Sequence, residues 1–224
     1  PVLAVDGPSG SGKGTVCRLL AERLGWHLLD SGALYRLVAL AGAARGFNPD
    51  DERGHAAVAA GLDARFEVEA SGAERVVLEG RDVTRELRAE STGNMASVVA
   101  AMPAVRTALF ARQRAFARTP GLVADGRDMG TVVFPSAGLK VFLTASAQER
   151  AARRYKQLKE KGLTASLAGL SQEILERDQR DAARSTAPLR PAADAVIIDS
   201  TGVPAESVVQ RIHDLARVRF PAIR

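Results

Sequence analysis

The sequence predicts an α/β fold: a parallel sheet covered by helices on both faces, an inserted small antiparallel β subdomain, and a short helical lid. Three observations predict it. Short apolar runs bounded by glycine alternate with stretches whose apolar residues recur every three or four positions, as strands and helices alternate in doubly wound sheets. The glycine-rich string GPSGSGKG follows the first of those runs without a spacer. One segment, 62–90, departs from the rhythm, and its alternating or β-branched residues, broken by turn formers, mark local antiparallel pairing.

Val2 to Asp6 is a short apolar run ended by glycine, hence a buried strand. Apolar residues at Val16, Leu19, Leu20 and Leu24 keep helical spacing over Thr15 to Leu24. HLLD, 27–30, reads as a second strand, and Leu34 to Arg45 as an Ala- and Leu-rich helix stopped by Gly46 and Pro49. RFEVEASGAERVVLEGRDV, 65–83, is a hairpin or small sheet with breaks at Ser71-Gly72 and Gly80. From Pro103 a helix returns, with proline acceptable in its first turn. LVADG, 122–126, and LKVFLT, 139–144, are buried-type strands. Charged helices are expected at about 147–161, ending at Gly162, and at about 171–184. AVIIDS, 195–200, is a last strand and 204–218 a closing helix.

The 224 residues, 46% hydrophobic and 25% charged, suit one compact domain, 1–224, with room for an insert. No apolar run approaches the roughly 18 residues of a membrane span. The chain opens on a strand-like run with no charged leader and cleavage site. Cys17 is the single cysteine, which excludes a disulfide framework and a cysteine-based metal site. A soluble cytoplasmic protein without a membrane partner is expected. The net charge of +5 fits nucleic acid or small polyanions. An aromatic content of 4% leaves few stacking platforms for single strands, so nucleic acid is not the expected partner. No repeat or low-complexity linker divides the chain.

Gly7, Pro8, Ser9, Gly10, Ser11, Gly12 and Lys13 fit G-x-x-x-x-G-K, with a strand before and a helix after. Such a loop turns N–H groups toward phosphate oxygens, the helix adds its dipole, and Lys13 bridges outer phosphates as a point charge. The position after the lysine, where a Ser or Thr hydroxyl would meet Mg²⁺, is Gly14, and Thr15 follows. A D-x-x-G string at Asp199 to Gly202 has no N-K-x-D companion and reads as a strand-to-turn segment.

Ser31 and Arg36, at the end of the second strand, stand where a doubly wound sheet binds ligands and suit an acceptor phosphate. An N-cap and a solvated arginine are the equal alternative. In ADGRDMGTVVFP, 124–135, a strand delivers Asp125, placed to hold a water on Mg²⁺. Arg127 and Asp128 follow as a phosphate donor and an acceptor for a base amine, or as a turn with a surface ion pair. Arg177, Asp181 and Arg184, at i, i+4 and i+7, put arginine, aspartate, arginine on one helix face, for a ribose and phosphate or as a solvated pair. The run 150–161 carries six basic residues against one acid, a solvated face or a lid, about 150–165, closing on triphosphate.

GPSGSGKGT, HLLDSGALYR, GNMASVVAAMPAVR, LVADGRDMGTVVFP, ERDQRD and the APL at 187–189 together resemble the bacterial-type cytidylate kinases, P-loop nucleoside monophosphate kinases, over nearly the whole chain. GKGT is itself a mark of that kinase group. The resemblance implies γ-phosphate transfer from ATP to CMP or dCMP with Mg²⁺; a monomer is expected. It implies a P-loop kinase core with a parallel sheet and a monophosphate-binding insert that includes 62–90. By matching motif it implies that Ser97, Arg106 and Asp128 read cytosine, and that Ser31, Arg36 and Arg127 face the acceptor phosphate. Asp181 would hold the ribose, with Arg177 and Arg184 near the phosphates, and Arg153 and Arg154 would be lid arginines. TASLAG, 164–169, matches no motif. A kinase of UMP or AMP, and a nucleotide-dependent nucleic-acid-binding protein, are the alternatives.

Overall fold

The computed structural model describes residues 1–68, 74–160, 162 and 164–221. The expected turn at Ser71-Gly72 lies outside them. The chain folds as two compact units, one of Pro1–Asp30 with Arg114–Arg224, the other of Ser31–Gln113.

The first unit starts with β1 (Val2–Asp6), α1 (Lys13–Leu24) and β2 (His27–Asp30). The second unit carries α2 (Ser31–Ala44), α3 (Glu52–Ala60), β3 (Ala64–Val68), β4 (Glu74–Leu78), β5 (Arg81–Asp82), α4 (Thr84–Leu87), α5 (Glu90–Val99) and α6, which runs Pro103–Arg114 to the unit's edge. The first unit resumes with β6 (Leu122–Gly126), a π-helical turn (Met129–Val133), β7 (Leu139–Thr144), α7 (Ala147–Glu160), α8 (Leu167–Ala182), β8 (Val196–Asp199) and α9 (Ala205–Arg219).

In the first unit all five strands are parallel, in the order β2-β6-β1-β7-β8. The chain leaves β1 toward one side for β2 and later crosses to β7 and β8 on the other. The carboxyl end of β1 is therefore the point where connections diverge, the ligand position of open α/β sheets. The continuous apolar runs are what a sheet buried on both faces requires. Leu3 and Val5 of β1, Val141 and Leu143 of β7 and Ile198 of β8 pack on Val16, Cys17 and Leu20 of α1 and on Val209 and Ile212 of α9. Each such fully buried Leu or Ile contributes about 1.5–3 kcal/mol.

In the second unit the antiparallel sheet runs β3-β4-β5, with Phe66 opposite Val76 and Val77 opposite Asp82. Alternation puts Val76 and Leu78 on the buried face and Arg75 and Val77 on the half-buried one, while Glu74, in line with Val76 at the strand's start, is exposed. Gly80 turns β4 into β5 at φ 79, as the break there predicts.

The largest differences in boundary from the sequence expectation are in two helices. The helix expected from Leu34 begins at Ser31, because its first turn is already buried through Ser31 and Ala33. The helix expected at 171–184 begins at Leu167, where Ser166 accepts from the Gly169 N–H as N-cap, and ends at Ala182. Helices α3 and α5 and the π-helical turn had no expectation attached to them, and α4 lies in the segment expected to be antiparallel β.

Candidate active site

The loop after β1 folds around its own lysine. Gly7 admits no side chain: a Cβ there would stand 2.0 Å from the Leu143 carbonyl oxygen, and φ is 151°. Gly12 caps α1 in the left-handed region, so no side-chain cap competes for the first N–H groups of the helix. Lys13 is only 5% exposed, and its Nζ donates to the Pro8 carbonyl at 2.7 Å and to Ser11 Oγ at 3.4 Å. Two loop carbonyls are gripped from behind. Ser9 O accepts from Arg150 Nη1 at 3.1 Å. Ser11 O accepts from Ser200 Oγ at 3.1 Å and from Arg153 Nη1 at 3.4 Å. Such a glycine-rich loop, wrapped around a cation and leading into a helix N-terminus, suits phosphate oxygens.

Acids and bases are crowded under this loop. Burial, and after it the nearby Arg127, push the Lys13 ammonium well below its ordinary range, while Asp125 pulls it back up. Burial pushes the Asp125 carboxyl up, and Lys13 opposes that. Asp6 is raised from 3.8 to about 6, chiefly by burial, against the N–H donors of Gly130 and Met129, with Asp128 raising it further. Those donors reach the two Asp6 oxygens at 2.7 Å from Met129 and 2.8 Å from Gly130. Asp6 thus fixes the start of the π-helical turn, whose N-cap is Asp128. A raised folded-state pKa favours the fold below pH 4 and costs it stability as pH climbs through 6. The unfolding free energy of the wild type minus that of Asp6→Asn should therefore fall by roughly 3 kcal/mol between pH 4 and pH 7. Urea unfolding of both proteins across that range checks it, and a flat difference would contradict the assignment.

Beside the loop, β6 and α8 meet through Asp181. That carboxylate is 1% exposed, accepts from Arg127 Nε at 3.1 Å and also pairs with Arg184. Two guanidiniums share one carboxylate, which leaves a positive surplus suited to phosphate. Arg177 is half-buried one turn earlier on α8. On α7, Arg153 donates to Glu149, to Ser11 O and to Ser200, and Arg154 is half-buried with Gln157 at 3.5 Å. Asp199 accepts from both Thr201 N and Thr201 Oγ1, so the D-x-x-G string is a strand-to-turn segment.

In the second unit Ser31 is the buried first residue of α2. Arg36, one turn on, is not solvated: Nη1 donates to the carbonyls of Leu87 at 2.8 Å and Ala89 at 3.1 Å. Arg106 is buried on α6, donates to Ala100 O at 3.1 Å and lies 5.7 Å from the Tyr35 ring centroid. Ser97 is buried on α5, and its Oγ has no hydrogen-bond partner. An orphaned buried hydroxyl is a cost that a ligand removes.

The residues that sequence reasoning missed here are Asp6, Arg150, Asp178 and Ser200. Each has a partner 28 to 189 positions away, outside any local pattern. Among the described residues no group of three or more His, Cys, Asp or Glu could hold a metal ion. A Cβ at Gly14 would lie 3.7 Å from Asp125 Oδ2, so the carboxylate borders the position where other phosphate loops carry a hydroxyl. One carboxylate with nucleotide phosphates and water is the donor set a Mg²⁺ ion takes, and the site fits it.

The cytidylate kinase family model matches residues 3–218. A cytidylate kinase of Pseudomonas syringae pv. tomato is 60% identical over 213 residues, 95% of this chain and 93% of that protein. One from Aeromonas hydrophila is 57% identical over 209 residues, 93% of this chain and 90% of its own. A gluconokinase structure from Sinorhizobium meliloti aligns over 97% of this chain and 93% of its own at TM-score 0.47 and 18% identity.

Proposed function

The chain belongs to the cytidylate kinase family, and from that premise we propose how its residues divide the work of moving the γ-phosphate of ATP to CMP or dCMP. The overall reaction gives ADP with CDP or dCDP, a step of pyrimidine nucleotide metabolism. The observation that supports the division best is the buried Asp181 shared by Arg127 and Arg184, in the same unit as the phosphate loop.

Residues Gly7 to Thr15 take the donor triphosphate. Lys13 leaves the Pro8 carbonyl for the β- and γ-phosphate oxygens, where its charge returns to full strength. Arg127 and Arg184 neutralise charge that develops on the transferred group, and Asp181 holds their planes in place and accepts from the ribose. Ser31 and Arg36, with Arg127, act on the acceptor phosphate, Arg177 lies near the phosphates, and Ser97, Arg106 and Asp128 read the cytosine. Phosphoryl transfer asks little covalent chemistry of a protein, so positioning and charge carry the rate. Mg²⁺ arriving with ATP would be held through water by Asp125 and would supply charge neutralisation at the phosphates.

Arg153 and Arg154 belong to a lid that closes over the triphosphate and excludes water. A bisubstrate analogue joining adenosine and cytidine through phosphates should slow tryptic cleavage in 150–162 by about tenfold or more, because local opening is what proteolysis reads. Unchanged cleavage would count against a lid.

Transfer with γ-labelled ATP and CMP tests the function. The label should appear in CDP. Label in inorganic phosphate, with release stimulated by DNA or RNA, would favour a nucleic-acid-dependent ATPase instead. No single described helix is long and apolar enough to cross a membrane.

A further inference from the structure

Arg150 is a buried cation with its donors largely committed, and the reaction as assigned makes no use of it. It is 4% exposed and spends four of its five N–H donors on three partners. Nε donates to Ala145 O at 3.0 Å. Nη1 donates to Ser9 O at 3.1 Å and to Asp178 Oδ1 at 3.0 Å, and Nη2 to Asp178 Oδ2 at 2.5 Å. Its stem also packs on the loop: a Cβ at Gly10, where φ is 76°, would stand 3.2 Å from Arg150 Cβ. Asp178 comes from α8, directly after Arg177 and one turn before Asp181.

The consequence lies in one peptide plane. A trans peptide sets the N–H of Gly10 antiparallel to the carbonyl of Ser9. A guanidinium that holds the Ser9 oxygen on its own side therefore turns the Gly10 N–H to the opposite side. We infer that Arg150 is a positioning residue for phosphoryl transfer: it aims the Gly10 amide of the phosphate loop at the donor phosphates, and Asp178, by bidentate pairing, fixes the plane of Arg150. A lysine cannot do this, since a point charge has no fork to serve the Asp178 carboxylate and the Ser9 carbonyl together. The inference rests on residues 7–15 being the ATP loop.

MgADP binding by titration calorimetry, with thermal melting and steady-state kinetics, tests it on Arg150→Lys and Asp178→Asn in the full chain. For Arg150→Lys, MgADP affinity should fall about tenfold or more and kcat/KM for ATP about 10²-fold, with KM for CMP at saturating ATP within about threefold. Asp178→Asn keeps one acceptor oxygen and the side-chain shape, so its losses should be smaller, about three- to tenfold, in the same parameters. A mere staple between α7 and α8 would lower the melting temperature and leave MgADP affinity alone. That pattern, or folded variants with wild-type affinity and ATP kinetics, overturns the inference. Should Arg150→Lys fail to fold, the isosteric Asp178→Asn decides alone. A wild-type protein that did not bind MgADP would instead refute the loop assignment itself.

Discussion

Replacing Lys13 by alanine should lower kcat by about 10³-fold while moving the melting temperature by only a few degrees. The rate loss follows from the proposed chemistry: charge spreads over phosphate oxygens in the transition state, and Lys13 is the cation proposed to meet them. The mild effect on stability follows from the structure. Lys13 is buried, and burial pushes its ammonium pKa down, so the fold gains no stability from carrying that charge at neutral pH. What the substitution removes is one hydrogen bond to Pro8 O and a longer one to Ser11 Oγ, worth about 1–3 kcal/mol each, and against that loss it relieves the cost of burying the ammonium. The loop's shape rests on Gly7 against Leu143 and on Arg150 and Ser200 behind it, which the substitution leaves in place. Calorimetric melting and steady-state rates at saturating ATP and CMP check both halves. Near-normal turnover would remove residues 7–15 as the ATP site.

What the sequence shows of this molecule is its local physics. The runs at 2–6, 122–126 and 139–144 are apolar because the sheet is buried on both faces, and each is a strand in the structure. GPSGSGKGT announces the loop, since few other structures need that much backbone freedom ahead of a lysine. Helix α5 was hidden because ESTGNMASVV mixes residues of low helix propensity, and its packing on α2 decides the matter. The π-helical turn was hidden because MGTVV is β-branched at its end; two amides gathered by Asp6 from a distant strand hold its start. The spacing of Arg177 and Asp181 invites an i,i+4 pair, yet Asp181 pairs with Arg127, 54 positions away, and with Arg184 at i+3. Helical spacing fixes which face a residue takes, and tertiary partners fix what it does there.

Base choice is the second large effect, and in the proposed division of roles it rests on Asp128, a buried residue at the N-cap of the π-helical turn. Cytosine presents an amine at position 4 where uracil presents a carbonyl. A carboxylate accepts from the amine but meets the uracil oxygen acceptor to acceptor, and both groups are then left unpaired. A site built on one specific hydrogen bond discriminates by up to about 10⁴–10⁵, so a preference for CMP over UMP of at least about 10²-fold in kcat/KM is expected. Asp128→Asn should narrow that preference to about tenfold or less, because an amide turns either its oxygen or its N–H₂ to the base. The narrowing should come mainly from lost CMP activity, since the arginines assigned to the phosphates are untouched. Full selectivity in Asp128→Asn would mean that another residue reads the base.

The most direct measurement is ADP release from ATP with CMP, dCMP, UMP, AMP and GMP offered in turn as acceptor. CMP and dCMP should be turned over with kcat/KM at least about 10²-fold above the other three. Equal use of UMP or AMP, or ADP release that needs no monophosphate and rises with added DNA or RNA, would contradict a phosphoryl transfer chosen by the cytosine base.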